Sequence, residues 1–207
     1  MPCPILASVT NNPDLPVFAV VLAAGCASRF GATKQLSEFD GAPLARLAIN
    51  LAHDVCVNHS MLVVGHDWLA VSAACQPLPG FLILNDHFAE GIGASISRAV
   101  RSLRHAASAI IVLLADQPLI TREHVRGLLD AWSGADNAIV ATAFAGTVGP
   151  PALFAHGCFA DLWQFTGDQG ARELLFDDRF SVTTVDFDDA AFDIDTPQDL
   201  DRLRSRT

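Results

Sequence analysis

Residues 20–34 read VVLAAGCASRFGATK: an apolar run ends in small residues and closes on two fixed cations, Arg29 and Lys34. After Leu22, the small residues Ala23, Ala24 and Gly25 let a ligand approach backbone N–H groups. Arg29 offers a planar fork for phosphate oxygens, and Lys34 a mobile point charge. That is the chemistry of a polyphosphate site, although a tight turn with two solvated cations uses the same residues. Two familiar phosphate loops do not fit. The Walker pattern needs four residues between its glycines and Gly-Lys-Ser/Thr at its end, whereas five separate Gly25 from Gly31 and Ala32 follows. The dinucleotide fingerprint G-x-G-x-x-G fails as well.

Carboxylates form the second chemical set. Asp116, in LLADQP, ends an apolar run, where an unpaired charge is costly to desolvate. It either caps a turn or, beside a triphosphate, holds Mg²⁺, a hard cation that prefers oxygen. The tail crowds Asp186, Asp188, Asp189, Asp193, Asp195, Asp199 and Asp201 together. Asp199 fits a helix cap. Asp193 and Asp195 precede it, lie two apart and share a face in extended chain. Two unit charges about 4 Å apart interact by roughly 4 kcal/mol at an effective dielectric of 20. Carboxylates beside a polyphosphate therefore require a cation between them, and the residues alone do not separate Asp193 from Asp195.

The elements that must position these groups follow from hydrophobic periodicity. Apolar runs at Val17–Leu22, Met61–Val64, Phe81–Leu84, Ile110–Leu114 and Ala138–Ala141 read as buried strands. Helical spacing links Leu44, Leu47, Ala48 and Leu51, then Ile96, Ala99, Val100 and Leu103 with Arg98, Arg101 and Arg104 on other faces. A third set, Val125, Leu128, Leu129 and Trp132, opens at Thr121 as N-cap. Strands alternating with helices predict a three-layer α/β/α fold around a mainly parallel, Rossmann-like sheet, with ligands at the strands' carboxyl ends. Beyond Gly146 the rhythm changes. GTVGPPALFAHGCF reads as a loop and short edge strand, GDQGARELL opens a helix, and VTTVDF is a late strand. Thr196-Pro197-Gln198-Asp199 caps the last helix. Residues 1–15 read as a loose leader and 16–207 as one domain, with 146–190 as an insertion that shapes a second substrate site.

With 207 residues, the chain buries roughly 70–75% of its unfolded surface and needs neither disulfide nor metal to fold. A net charge of −10 argues against nucleic acid or an anionic membrane as partner. Five scattered cysteines without C-x-x-C spacing fit the reducing cytoplasm. No signal peptide or membrane-length apolar run is present. Seven histidines form no ligand set, and Cys26 stands without nucleophile chemistry around it.

The stretch from Leu22 resembles the signature L-A-A-G-x-S-x-R-F/M-G-x-x-K of the MobA-like nucleotidyltransferases, most closely the molybdenum cofactor cytidylyltransferases. The similarity continues through NDHFAEGIGASI, LLADQP, GPPALF, GDQGAR and DIDTPQDL, motifs in the same order over roughly 185 residues. One departure is that the signature Ser falls on Ala27, next to Ser28. The resemblance implies a nucleotide-diphospho-sugar transferase-like fold and a Mg²⁺-dependent reaction. Catalytic Arg29 and Lys34, and a nucleotide held by Leu22, Ala23, Ala24, Gly25, Asn85, Gly91 and Ser95, follow from it. It favours Asp116 and Asp193 as metal ligands, with Asp195 as the alternative, and sets Asp168 and Arg172 near the acceptor, with Pro150 and Pro151 in the same wall. It implies CTP as donor, a molybdopterin-type phosphate as acceptor, and a molybdoenzyme or its maturation factor as downstream partner. Two rivals share these residues: a nucleotidyltransferase acting on a sugar phosphate or other small phosphate, and a non-catalytic molybdenum cofactor carrier.

Overall fold

Strand β1 (Val17–Ala23) sends alternate side chains into two different cores, and this period of two sets up the layers. Phe18, Val20 and Leu22 face one core; Ala19, Val21 and Ala23 face the other. The computed structural model describes residues 14–26, 30–167 and 170–205. Of the expected leader only Asp14 and Leu15 fall within that range.

After β1 come two short strands, β2 (Glu38–Phe39) and β3 (Ala42–Pro43), and helix α1 (Leu44–Val55). Then follow β4 (Ser60–Val64), α2 (Trp68–Ala74), β5 (Phe81–Leu84), α3 (Ile92–Leu103), β6 (Ala109–Leu114) and α4 (Arg122–Ala131). β7 (Ala138–Phe144), β8 (Thr147–Ala155), α5 (Phe159–Leu162), β9 (Ser181–Asp186) and α6 (Pro197–Arg204) complete the chain. The main sheet has seven strands in the order β5-β4-β1-β6-β8-β7-β9. All neighbours are parallel except β8, which runs antiparallel to both β6 and β7. Helices α3 and α5 cover one face; α1, α2 and α4 cover the other. The expected three-layer, mainly parallel fold is present. Among the described residues no helix is long and apolar enough to cross a membrane.

Two expectations need correction. The segment TVGPPALFA is a nine-residue strand inside the sheet, not a short edge strand. Its prolines suggested an edge because they donate no ladder hydrogen bond. In the structure Ala141 pairs with Ala152 while Thr142 pairs with Gly149, so Pro150 and Pro151 fall in the register shift where no ladder bond is needed. Secondly, Gly170–Phe176 is a run of 3₁₀ turns rather than an α-helix. Strands β8 and β9 show that 146–190 contributes to the central sheet itself.

β1 has β4 on one side and β6 on the other, because the chain builds outwards to β5 and then returns across β1. The strand order reverses there, and the crevice at the carboxyl ends of β1 and β6 is the natural ligand site. Helix α6 packs Leu200 and Leu203 on Ile194 and so anchors the segment that brings Asp195 to that crevice. The Thr196 hydroxyl accepts from the Asp199 N–H (3.3 Å), and the Asp199 carboxylate accepts from the Thr196 N–H (2.9 Å), with Pro197 in the first turn. This is the expected capping box, and such caps contribute about 0.5–2 kcal/mol.

Away from the crevice, His124 is buried between α4 and the sheet. Its ring stacks on Phe187 at 4.4 Å, and its Nε2 lies 2.8 Å from the Thr142 hydroxyl. That hydroxyl donates to the Pro151 carbonyl (2.7 Å), so its oxygen accepts from His124, which carries the Nε2 proton. Burial lowers the His124 pKa below 6.5. The native state then binds fewer protons than the unfolded chain at mildly acid pH, so this contribution is intact above about pH 6.5 and is lost as pH falls through the native pKa. Urea midpoints at pH 7.5 and 5.5 should fall on acidification, and His124→Gln should reduce that fall.

Candidate active site

The crevice is a cavity of about 560 Å³, lined by the β1 loop (Ala24, Gly25, Cys26), by Lys34 and Gln35, by Phe88, Gly91 and Ser95, and by Asp116 and Asp195. The β1 loop and Asp116 follow strand ends, Ser95 comes from the first turn of α3, and Asp195 precedes the cap of α6. β1 stops at Ala23 and its loop continues in small residues; β6 stops at Leu114, one residue short of the Ala115–Asp116 turn.

Lys34 begins a short 3₁₀ turn (Lys34–Leu36) and points into the crevice. Its Nζ lies 2.6 Å from Asp116 Oδ2 and 3.0 Å from Asp195 Oδ1, and donates to the Ile194 carbonyl at 2.9 Å. Burial disfavours the ammonium, but the charges and hydrogen bonds of Asp116 and Asp195 outweigh it, and the Lys34 pKa is raised. Backbone geometry brings the tail here: the Ile194 N–H donates to the Asp116 carbonyl at 2.9 Å. Ile194 is fully buried among Phe39, Leu44, Leu200 and Leu203. With that side chain turned inwards, Asp193 and Asp195 both turn outwards, as their spacing suggested.

The two aspartates serve different spaces. Asp195 lines the first cavity, whereas Asp193 lines a second of about 360 Å³ walled by Val112, Val148, Pro150, Phe154, Leu175 and Arg172. The cavities share Ile92 and Leu114. Although Asp193 keeps a face to solvent, its carboxyl is pushed up to about 6. Desolvation is the largest cause, followed by repulsion from Asp116; Asp195 adds to it, while Gln117 and Lys34 oppose it. Among the described residues one ammonium faces three carboxylates, an arrangement that a divalent cation would relieve. Among the described residues, Asp116 Oδ1 is buried and has no hydrogen-bond partner. An orphaned hard oxygen beside a crowded carboxylate fits Mg²⁺.

Other expected residues behave individually. Leu22, Ala24, Gly25, Gly91 and Ser95 line the first cavity. Ala23 does not: its methyl is buried in the core under α1. Asn85 is buried and acts within the protein, donating from Nδ2 to the Ser95 hydroxyl (3.0 Å) and accepting from the His87 N–H (3.0 Å). It shapes the turn leading to Gly91 (φ 102°), the N-cap of α3. Arg172 sits at the rim of the second cavity and donates to the Thr147 hydroxyl at 2.9 Å. Arg29 and Asp168, like Ala27 and Ser28, lie outside the described residues. Sequence reasoning missed Gln35, which is buried and donates to the Gly25 carbonyl at 2.9 Å, bracing the loop from below. Its one signal was adjacency to Lys34. Gly65 was also missed; it ends β4 where Phe88 crosses over it.

The strand order and the site at its reversal define a nucleotide-diphospho-sugar transferase-like fold. The chain belongs to the MobA-like NTP transferase domain family, whose signature covers residues 19–182. It is 28% identical over 199 residues to the purine catabolism protein PucB of Bacillus subtilis, covering 91% of this chain and 96% of PucB. The crystal structure of Rv0371c from Mycobacterium tuberculosis superimposes with a TM-score of 0.80 at 27% identity, over 91% of this chain and 97% of that one. A manganese complex of Rv0371c gives a TM-score of 0.77 at 25% identity, over 93% and 100% of the respective chains.

A Cβ added at Gly65 would stand 2.5 Å from the Phe88 Cβ and 2.9 Å from the Ala24 carbonyl, both in the crevice wall. Gly65→Ala should therefore displace Phe88, cost about 1–3 kcal/mol and weaken nucleotide binding. Thermal unfolding and titration calorimetry with nucleotide check both effects; unchanged affinity would mean that this wall does not touch the ligand.

Proposed function

We propose that this protein is a CTP:molybdopterin cytidylyltransferase, joining CMP to a molybdopterin-bound molybdenum cofactor with release of pyrophosphate. The observation that carries the reading is the Lys34–Asp116–Asp195 cluster, set where a cavity of mixed polarity meets a largely apolar one. The first cavity suits a nucleotide, and the second, with Arg172 at its rim, suits a flat heteroaromatic acceptor carrying a phosphate. The order of motifs shared with the cytidylyltransferases supports this choice of substrates.

In the reaction, an oxygen of the acceptor phosphate attacks the α-phosphorus of CTP in line. The bond from that phosphorus to the bridging oxygen breaks, and pyrophosphate leaves with the electron pair. The acceptor is already ionised, so no general base is needed, and catalysis is positioning plus charge neutralisation. The β1 loop brings its backbone to the triphosphate, braced by Gln35. Lys34 and Arg29 take up charge growing on the leaving group. Arg172 holds the acceptor phosphate, and Asp168 is assigned to the same substrate. Asp116 and Asp193 would hold Mg²⁺, which neutralises phosphate charge as a Lewis acid. The manganese complex of Rv0371c supports a divalent cation here. Ala24 lines the nucleotide cavity, and its methyl group disfavours a purine base. The four described cysteines are unpaired, which suits action in the cytoplasm, and a molybdoenzyme or its maturation factor would take the product.

Pyrophosphate release should be measured with Mg²⁺, each of the four nucleotides, and molybdopterin or sugar-phosphate acceptors. Release is expected with CTP and the pterin; release only with a sugar phosphate reassigns the acceptor, and pterin binding without release indicates a carrier. Lys34→Ala should lower turnover by about 10²-fold or more without unfolding the domain; near-normal turnover rejects the phosphate-loop assignment. Ala24→Gly should shift the CTP/GTP preference towards GTP by about tenfold, the scale of one methyl group in a pocket.

A further inference from the structure

We propose that the Lys34 ammonium is the resident cation of the aspartate cluster, and that divalent metal and nucleotide together displace it onto phosphate. The inference rests on the metal reading above and adds a competition that this reading does not require. All three ammonium protons are engaged, by Asp116, Asp195 and the Ile194 carbonyl. The side chain is only 13% exposed. A lysine held in this way has no donor left for a triphosphate, so its use on phosphate requires that it leave these carboxylates. Asp116 is engaged through Oδ2, while Oδ1 stays buried and has no partner among the described residues. Lys34 therefore satisfies half of the carboxylate that a divalent ion would take.

Two cations cannot share one carboxylate without mutual repulsion, so metal binding to the free protein is weakened by Lys34. A nucleotide changes the balance: its phosphates give the ammonium new anionic partners and supply the metal with oxygens. The four-carbon stem of lysine allows such a swing where a rigid side chain would not. Nucleotide must then raise metal affinity, and metal must raise nucleotide affinity by the same factor. The device would keep the loaded site from assembling on metal alone.

The chain offers a clean probe, because Lys34 is its only lysine. Amine acetylation followed by mass spectrometry therefore reports Lys34 directly, with the α-amino group as internal reference. In the wild-type protein, Mg²⁺ alone at high concentration should accelerate Lys34 acetylation. Manganese binding, read by electron paramagnetic resonance without nucleotide, should tighten about tenfold in Lys34→Met, as expected on removing a charge next to the ion. Lys34→Arg, which keeps the charge, should not tighten it. Asp116→Asn and Asp193→Asn separate the two levels of the reading. If both weaken Mn²⁺ binding while Lys34→Met leaves it unchanged or weaker and Mg²⁺ leaves Lys34 acetylation unchanged, the competition is wrong and the metal site stands. If neither aspartate variant alters Mn²⁺ binding, the metal reading and this inference fall together. Should Lys34→Met fold poorly, the acetylation rates of the wild-type protein decide the matter alone.

Discussion

One ammonium group held between two carboxylates ties together parts of the chain that are far apart in sequence. Lys34 follows the first strand, Asp116 follows the sixth, and Asp195 stands just before the last helix. The pairing is only partly exposed to water, so it is stronger than a surface ion pair but carries a desolvation cost. The neighbouring backbone hydrogen bond from Ile194 to Asp116, and the burial of Ile194, hold the tail in place without help from charge. The electrostatic cluster is therefore positioned by hydrophobic packing. Among the described residues it sets three carboxylates around one ammonium, which makes an added cation favourable there.

The same crossover point divides the crevice in two. On one side the β1 loop, Gln35 and Ser95 present polar groups; on the other, β8 and the 3₁₀ turns of Gly170–Phe176 present mostly apolar ones. Asp195 and Asp193, one residue apart from the same buried isoleucine, face these different spaces. A dipeptide repeat with an inward apolar centre thus places one carboxylate in each half, which suits a reaction joining two phosphate-bearing substrates.

Strand β8 links the second half of the site to the stability of the sheet. It lies between β6 and β7, and Pro150 at its register shift also forms part of the second cavity wall. Pro150 and Pro151 could sit inside a sheet only where the ladder is already interrupted. The interruption costs pairing but places the rigid Pro150 ring against the second cavity.

What the sequence determined by itself is local. Apolar periodicity marked five strands and three helices, the Thr196 capping box was legible residue by residue, and the small residues after β1 marked the ligand edge. Lys34 and Asp116 were visible as charges that end or follow apolar runs. The tertiary structure decided what depends on contacts between distant segments: the interior position of β8, the bracing by Gln35, the inward use of Asn85, and the division of Asp193 and Asp195 between two cavities. Helix α2 was also hidden, since its seven residues are too few to show a repeating face. Periodicity records which side of an element is apolar, whereas the partner it meets is set by how the whole sheet is ordered, and no window of neighbouring residues contains that order.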